Sequence, residues 1–513
     1  MAQGLQQKVG QLFMVGFDAL QANDHIRQLI RQQKIGGVIL FRRNVHTPAQ
    51  VSALCRELQE INAEVSDVPL LIALDQEGGM VMRIEQGVTP IPAAMAFQQA
   101  GSVEDCEQMN FISGDEMRQI GINMLLAPVL DVNNNRLNPV IGVRAYGEEP
   151  ETVIKYGMAA MRGQQESGVI VTAKHFPGHG DTAIDTHYAM ALVPHDKARL
   201  HAVELSPFKA AIANGVDAIM TAHVVFPAFE PDTSLPATLS KAVLTDLLRG
   251  EMGYQGVVIS DCLEMAAISE GIGIPQGAIA TLQAGADIVL ISHREEQQQA
   301  AIDTVLKAVE QGEIAIARID EALRRVQKLK QVKAVSAWRD RPVEPQHLMK
   351  PEAVALSKKL QKAALHVQGD FRPLDPALPV TLITVEVRSR SEIDEVALGR
   401  NKEARSSMLP ALRQAGLDVR EYALSAEALE QEVNGAIAFA EGARQIVVQT
   451  YNAMFVEGQR RLLAALPQDK LWLVAGRLPY DLDLAEGAQG RLAAYGCRPA
   501  ALEPVVEKLA TAA

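Results

Sequence analysis

The 513-residue chain has little cysteine: Cys55, Cys106, Cys262 and Cys497 lie far apart and form no Cys-x-x-Cys pair. That argues against a disulfide framework or a zinc ribbon and suits reduced thiols. Basic charge is also in short supply, with 49 Lys and Arg against 62 Asp and Glu, a net charge of −13. With no basic patch, neither nucleic acid nor an anionic membrane surface is an expected partner. No apolar stretch reaches the length of a membrane span, and Met1-Ala2-Gln3-Gly4 opens no basic region followed by an apolar core. The expected location is cytoplasmic, with a leaderless export route left open. Internal repeats and low-complexity segments are lacking too.

What is present is a series of short apolar runs separated by amphipathic segments. The runs are 12–17, 37–41, 70–74, 123–127, 169–173, 218–221, 257–260 and 288–292, with helical patterns such as 102–120 and 152–167 between them. Eight strand-then-helix units are the count of a TIM-type (β/α)8 barrel, and a doubly wound sheet is the alternative. An Arg/Lys-rich helix at 319–332 and the stretch 337–345 close this unit. The expected organisation is α/β: an N-terminal barrel over 1–340, a helical linker over 341–378 and a smaller α/β sandwich-like C-terminal domain over 379–513. In the last, 380–387, 446–450, 471–475 and 491–495 read as parallel strands.

The stretch from Lys174 to His187, KHFPGHGDTAIDTH, holds three histidines, two aspartates and a lysine in fourteen residues, broken by Pro177, Gly178 and Gly180. It follows the buried-strand pattern Val169–Ala173, so it is expected to leave the carboxyl end of a strand as a loop, where α/β folds place their chemistry. Other strand exits are polar as well: Asp75-Gln76-Glu77, Asp131-Val132-Asn133, His223 and Ser260-Asp261. Any one of these could be a helix cap, but five on one barrel face suggest a site. Asp261 could be a nucleophile, an electrostatic stabiliser or a metal ligand. Asp185, two residues before His187, could orient that imidazole and leave its other nitrogen to donate a proton. A carboxylate opposite an acid/base is the logic of retaining glycoside cleavage.

These residues resemble the signature of bacterial β-N-acetylhexosaminidases of glycoside hydrolase family three. The blocks are Lys174–Thr182 with Asp185-Thr186-His187, Asp75–Gly79, Asn138–Arg144 and Ile259-Ser260-Asp261, over about 1–340. The resemblance implies a retaining, exo-acting N-acetylglucosaminidase that needs no cofactor or metal. Asp261 would form the glycosyl-enzyme, and His187 would be acid/base, oriented by Asp185. Asp75, Arg83, Arg144, Lys174 and His175 would hold the sugar hydroxyls, with His223 a further substrate contact. The implied partner is a small N-acetylglucosamine-containing carbohydrate, either a peptidoglycan fragment in cell-wall recycling or a chitin oligosaccharide. The oligomeric state is left open.

Two positions depart from the family pattern. Met80 stands where many relatives carry arginine, and Cys262, expected as a small filler, stands where they often carry Asp or Ala. A β-glucosidase or a glycoside phosphorylase on the same scaffold is the nearest alternative. A metal-dependent hydrolase built on His175, His179, His187, Asp181 and Asp185 is weaker, because Pro177 and Gly178 remove the helix that an i, i+4 histidine pair needs. A non-catalytic sugar sensor is the third.

Overall fold

The computed structural model describes residues 4–183, 190–386 and 408–510. Each of the eight apolar runs forms a strand: β1 Phe13–Val15, β2 Gly37–Ile39, β3 Leu71–Leu74, β4 Met124–Leu125, β5 Ile170–Phe176, β6 Ala218–Thr221, β7 Val257–Ile259 and β8 Val289–Ile291. Neighbours in sequence pair in parallel, and β1 pairs with β8 in the register Phe13↔Val289. A bridge between Ile259 and Ile288 joins β7 to β8, which closes the barrel. Every residue of these strands is buried, as expected where helices cover the outside and side chains fill the inside of a parallel barrel.

Local sequence explains the helices between them. Ser102 accepts the Asp105 N–H through its hydroxyl at the start of Val103–Ile120, and Gly121 ends that helix at φ 108°. Thr47 caps Pro48–Ala63 in the same way, with proline in the first turn, where no N–H is missed. The carboxamide of Asn123 stitches β3 to β4, accepting from the Ile72 N–H at 2.7 Å and donating to the Leu70 carbonyl at 3.0 Å.

Beyond the barrel, the helix Pro351–Ala364 leads into a second sheet. Its strands are β9 His366–Val367, β10 Val380–Val385, β11 Val419–Leu424, β12 Gln445–Thr450, β13 Leu471–Ala475 and β14 Gly490–Ala493. The spatial order is β9-β14-β13-β12-β10-β11, parallel except for β9 against β14. Thus β9 and β11 join the expected parallel strands, and β9 falls inside the segment expected as linker. Among the described residues, no helix is long and apolar enough to cross a membrane.

Candidate active site

The carboxyl ends of the barrel strands open on one cavity, lined by residues such as Phe41 after β2, Asp75 after β3, Lys174 on β5, Asp261 after β7 and His293 after β8. Strand β5 runs further than the apolar pattern indicated. It pairs with β6 as far as Phe176↔Thr221 across an irregularity after Ala173, so Lys174 and His175 lie on the strand and the loop begins at Pro177. They are therefore held by the sheet and not by a loop.

Five charged groups form a continuous chain along the cavity wall. Arg83 Nη2 lies 3.2 Å from Asp75 Oδ2, and Lys174 Nζ bridges Asp75 Oδ1 at 2.7 Å and Glu77 Oε1 at 2.6 Å. Arg144 then grips Glu77 with two N–H groups, each at 2.8 Å. Burial works against the charged form of each carboxyl. For Glu77 the Arg144 and Lys174 cations outweigh it and hold the acid far below the usual range. For Asp75, Lys174 and Arg83 do the same. Burial would also lower the Lys174 ammonium, but Asp75 and Glu77 reverse that and raise it. Asp75, Glu77, Lys174 and Arg144 stay ionised because each has its partner. The wall offers both charged donors and charged acceptors, the combination that discriminates among sugar hydroxyls.

His175 is oriented from below. Asp131, fully buried after β4, lies 2.7 Å from His175 Nδ1 and accepts the backbone N–H of His175 at 3.2 Å and of His179 at 2.7 Å. Burial opposes ionisation of Asp131, but His175 and the His179 contacts keep its carboxyl below the usual range. The carboxylate therefore accepts a hydrogen bond from Nδ1–H, and His175 presents Nε2 to the cavity. His179 is held neutral by burial, its imidazole lowered to about 4. Asn138 ties this region to the Arg144 turn. It donates to the carbonyls of His179 and Gly180 and accepts from the N–H groups of Val140 and Ile141. Gly180 is required there, since a Cβ would lie 1.6 Å from the Val132 carbonyl oxygen.

Asp261 faces this wall from the exit of β7. Its Oδ1 accepts the Cys262 N–H at 2.7 Å, and its own N–H reaches Thr221 Oγ1 at 3.3 Å. His223 lies beneath, fully buried, with Nδ1 2.8 Å from Thr238 Oγ1 and Nε2 2.8 Å from the Cys262 carbonyl. A carbonyl only accepts, so Nε2 carries the proton. Glu264 anchors the next turn by accepting the N–H groups of Ser292, His293 and Arg294 at 2.6–2.7 Å.

Residues 4–329 match the glycosyl hydrolase family 3 N-terminal domain. The chain belongs to this family. It is similar to the β-hexosaminidase of Stenotrophomonas maltophilia (strain R551-3), 36% identical over 305 residues, covering 58% of this chain and 87% of that one. It is also similar to β-hexosaminidase A of Pseudoalteromonas piscicida, 36% identical over 330 residues, but spans only 54% of that protein's length. A solved glycoside hydrolase family 3 β-N-acetylglucosaminidase from Paenibacillus sp. str. FPU-7 matches nearly the whole chain: 46% identity, 99% of this chain, 97% of that one and a TM-score of 0.93.

Within the family 3 domain, the structure brings Asp75, Arg83, Arg144, Lys174, His175 and Asp261 to one cavity. His223 instead supports the Asp261 turn, and its ring nitrogens meet Thr238 and Cys262. Asp185 and His187 lie outside the described residues. Cys262 is partly exposed at the cavity and not simply a filler, and burial pushes its thiol well above the usual range. Glu77 went unassigned in the sequence, although it sits two residues after Asp75 in the same block. Asp131 read equally well as a helix cap, and Glu264 and His293 gave no signal at all. Of the groups expected for a metal site, Asp181 Oδ2 lies 2.5 Å from His195 Nε2 and His175 Nδ1 lies 2.7 Å from Asp131 Oδ2, while Asp185 and His187 are outside the described residues.

Proposed function

We propose that this family 3 enzyme is a retaining, exo-acting β-N-acetylglucosaminidase. The observation that carries the reading is the charged wall Arg83–Asp75–Lys174–Glu77–Arg144, with His175, in one cavity with the Asp261 carboxylate. The similarity to the Paenibacillus β-N-acetylglucosaminidase over almost the full chain supports the choice of sugar. In the first step an oxygen of Asp261 bonds to the anomeric carbon as the glycosidic C–O bond breaks, and His187 gives its proton to the leaving oxygen. In the second, water attacks the same carbon, His187 takes a proton from it, and Asp261 leaves as the carboxylate. Asp185 orients the imidazole. Asp75, Arg83, Arg144, Lys174 and His175 hold the terminal N-acetylglucosamine, while His223 acts through the Asp261 turn. The substrate is a peptidoglycan fragment or a chitin oligosaccharide.

The test compares an aryl N-acetyl-β-glucosaminide with the matching aryl β-glucoside. Hydrolysis of the first should greatly exceed that of the second, with free sugar as the product in phosphate buffer. Equal rates would favour a glucosidase, and a sugar 1-phosphate would move the reading to phosphorolysis.

A further inference from the structure

Among the described residues, the second domain brings no comparable acid–base cluster to the cavity, yet it grips the two barrel segments that end in Arg83 and Arg144. The first is the hairpin Gln76–Gly78 with Val81–Met82, which runs directly into Arg83. Met80, at its tip, is 2% exposed and packs in the second domain's apolar core with residues such as Leu478, Tyr480 and Tyr495. From that domain Arg498 Nη2 donates to the Met80 carbonyl at 3.0 Å, approaches the Met82 carbonyl at 3.5 Å and pairs with Glu85 at 3.0 Å. The Cys497 N–H meets the Met80 sulfur at 3.4 Å. The second segment is the turn Gly142–Arg144. Its Gly142 has φ +50°, and a Cβ there would lie 2.6 Å from Leu478 Cδ2, so the two domains touch at backbone distance. Val143 belongs to the same apolar cluster as Met80. Asn133 accepts the Gly142 N–H at 3.0 Å and donates to the Tyr480 hydroxyl at 2.9 Å, which in turn donates to Glu148 at 2.5 Å.

Two segments distant in sequence thus converge, on one face, on arginines of the same charged wall, and on the other face on one surface of the second domain. A cation donating to backbone carbonyls fixes backbone position more than it adds charge to the cavity. We infer that the second domain is a positioning element of the sugar site, with Arg498 holding the Arg83 hairpin and Leu478 and Tyr480 holding the Arg144 turn. Neither Arg498 nor Tyr480 touches the reacting atoms. They set how firmly Arg83 and Arg144 are aimed before sugar arrives, and preorganised contacts bind more tightly than mobile ones. This inference rests on the reading of Arg83 and Arg144 as sugar ligands.

The experiment measures competitive inhibition by N-acetylglucosamine and KM for an aryl N-acetyl-β-glucosaminide in the full chain. The variants are Arg498→Ala, Arg498→Lys, Tyr480→Phe, Arg83→Ala and the double variant Arg83→Ala/Arg498→Ala. Arg498→Ala should weaken inhibition and raise KM about 10-fold, the size of one charge-assisted hydrogen bond. Arg498→Lys should recover part of the loss, and Tyr480→Phe should weaken inhibition to a smaller degree. Because Arg498 acts through Arg83, the double variant should bind no worse than Arg83→Ala alone. Unchanged inhibition in Arg498→Ala and Arg498→Lys, with only the unfolding temperature lowered, would show a purely structural role and overturn the inference. Additive losses in the double variant would overturn it as well. Unchanged inhibition in Arg83→Ala would instead overturn the sugar-site reading beneath it.

Discussion

Glu77→Gln is the sharpest perturbation of the charged wall, because it keeps shape and removes one charge. Glu77 Oε1 accepts from both Lys174 and Arg144 Nη2, while Oε2 accepts from Arg144 Nε. A glutamine oxygen can keep the first position. Its NH2 then stands at the second, donor against donor, 2.8 Å from Arg144 Nε. The wall goes from three cations and two carboxylates to three cations and one. The side chains of Glu77, Arg144 and Lys174 are each 5% exposed or less, so water does little to screen the change. Removing one partner from a buried ion pair costs about 3–5 kcal/mol. With a urea m-value of roughly 3 kcal/mol/M, the unfolding midpoint should fall by on the order of 1 M. As Arg144 also loses its aim, kcat/KM should fall by roughly 10²-fold, the size of about 3 kcal/mol. The folded carboxyl lies far below its unfolded value of about 4.3. Its stabilisation is therefore fully present above that pH and declines below it, and the difference from the variant should be constant between pH 5 and 9. The double variant Glu77→Gln/Arg144→Met should recover stability, because the uncompensated cation is gone, but not activity. If Glu77→Gln stays within 1 kcal/mol of the parent and keeps kcat/KM within threefold, the network does not hold Arg144.

Lys330 is buried with Gln11 Oε1 at 2.8 Å, and burial lowers its ammonium to about 7. Since its folded value lies below the unfolded one, this group costs stability increasingly as pH falls from about 10 to 7. Lys330→Met should gain on the parent over that window, approaching about 3 kcal/mol at pH 7 after the lost hydrogen bond is counted. A pH-independent difference in denaturant midpoints would refute this. Dialysis against a chelator should leave hydrolysis unchanged, as the proposed steps use only a carboxylate and an imidazole; loss of activity restored by zinc would revive the metal-hydrolase reading. General acid help is worth about 10²–10⁴ in rate and shrinks as the leaving group becomes more acidic. So His187→Ala should lose much activity on a disaccharide and little in the first turnover of dinitrophenyl glycosides, with azide speeding its later turnovers, and Asp185→Ala should behave as a weaker copy. Asp261→Ala should be poor throughout the leaving-group series. An equal loss for His187→Ala across the series would remove it as general acid.

The barrel was legible because its signal is local. A strand covered on both faces is mostly apolar, and each of the eight is bounded by polar or glycine-containing turns within a few residues. The second sheet was legible for the same reason only in its inner strands. Strand β11, Val419–Leu424, pairs on one side alone among the described residues, and its burial falls away at Arg420 through Ala423, so its sequence carries no apolar run. Strand β9 has two residues and takes its identity from Leu492 and Ala493, more than a hundred positions on. The apolar pattern ends strand β5 too early because Lys174 and His175 are polar, yet they sit in the sheet, where Asp75 for Lys174 and Asp131 for His175 make their burial tolerable.

The same distinction runs through the site. Asp75, Lys174 and Asp261 are nominated by position at a strand exit, and they line one cavity. Position says nothing of direction, so His223 read as a substrate contact, although its ring turns under Asp261 to Thr238 and the Cys262 carbonyl. Glu77 and Asp131 were visible as residues but not as roles, because the role of a buried carboxylate is set by its partners. Those partners are Arg144 and Lys174 for Glu77, and His175 for Asp131, each far along the chain from the carboxylate it meets. Arg498 lies further out of reach, since it meets Met80 across 418 residues of chain. Met80 itself reads as a departure from the family pattern. In the fold its side chain fills the second domain's core and its carbonyl receives that domain's guanidinium. An apolar residue at the hairpin tip suits this docked position. A charged side chain in its place would have to be buried among Leu478, Tyr480 and Tyr495, at a cost that only a carboxylate partner could offset.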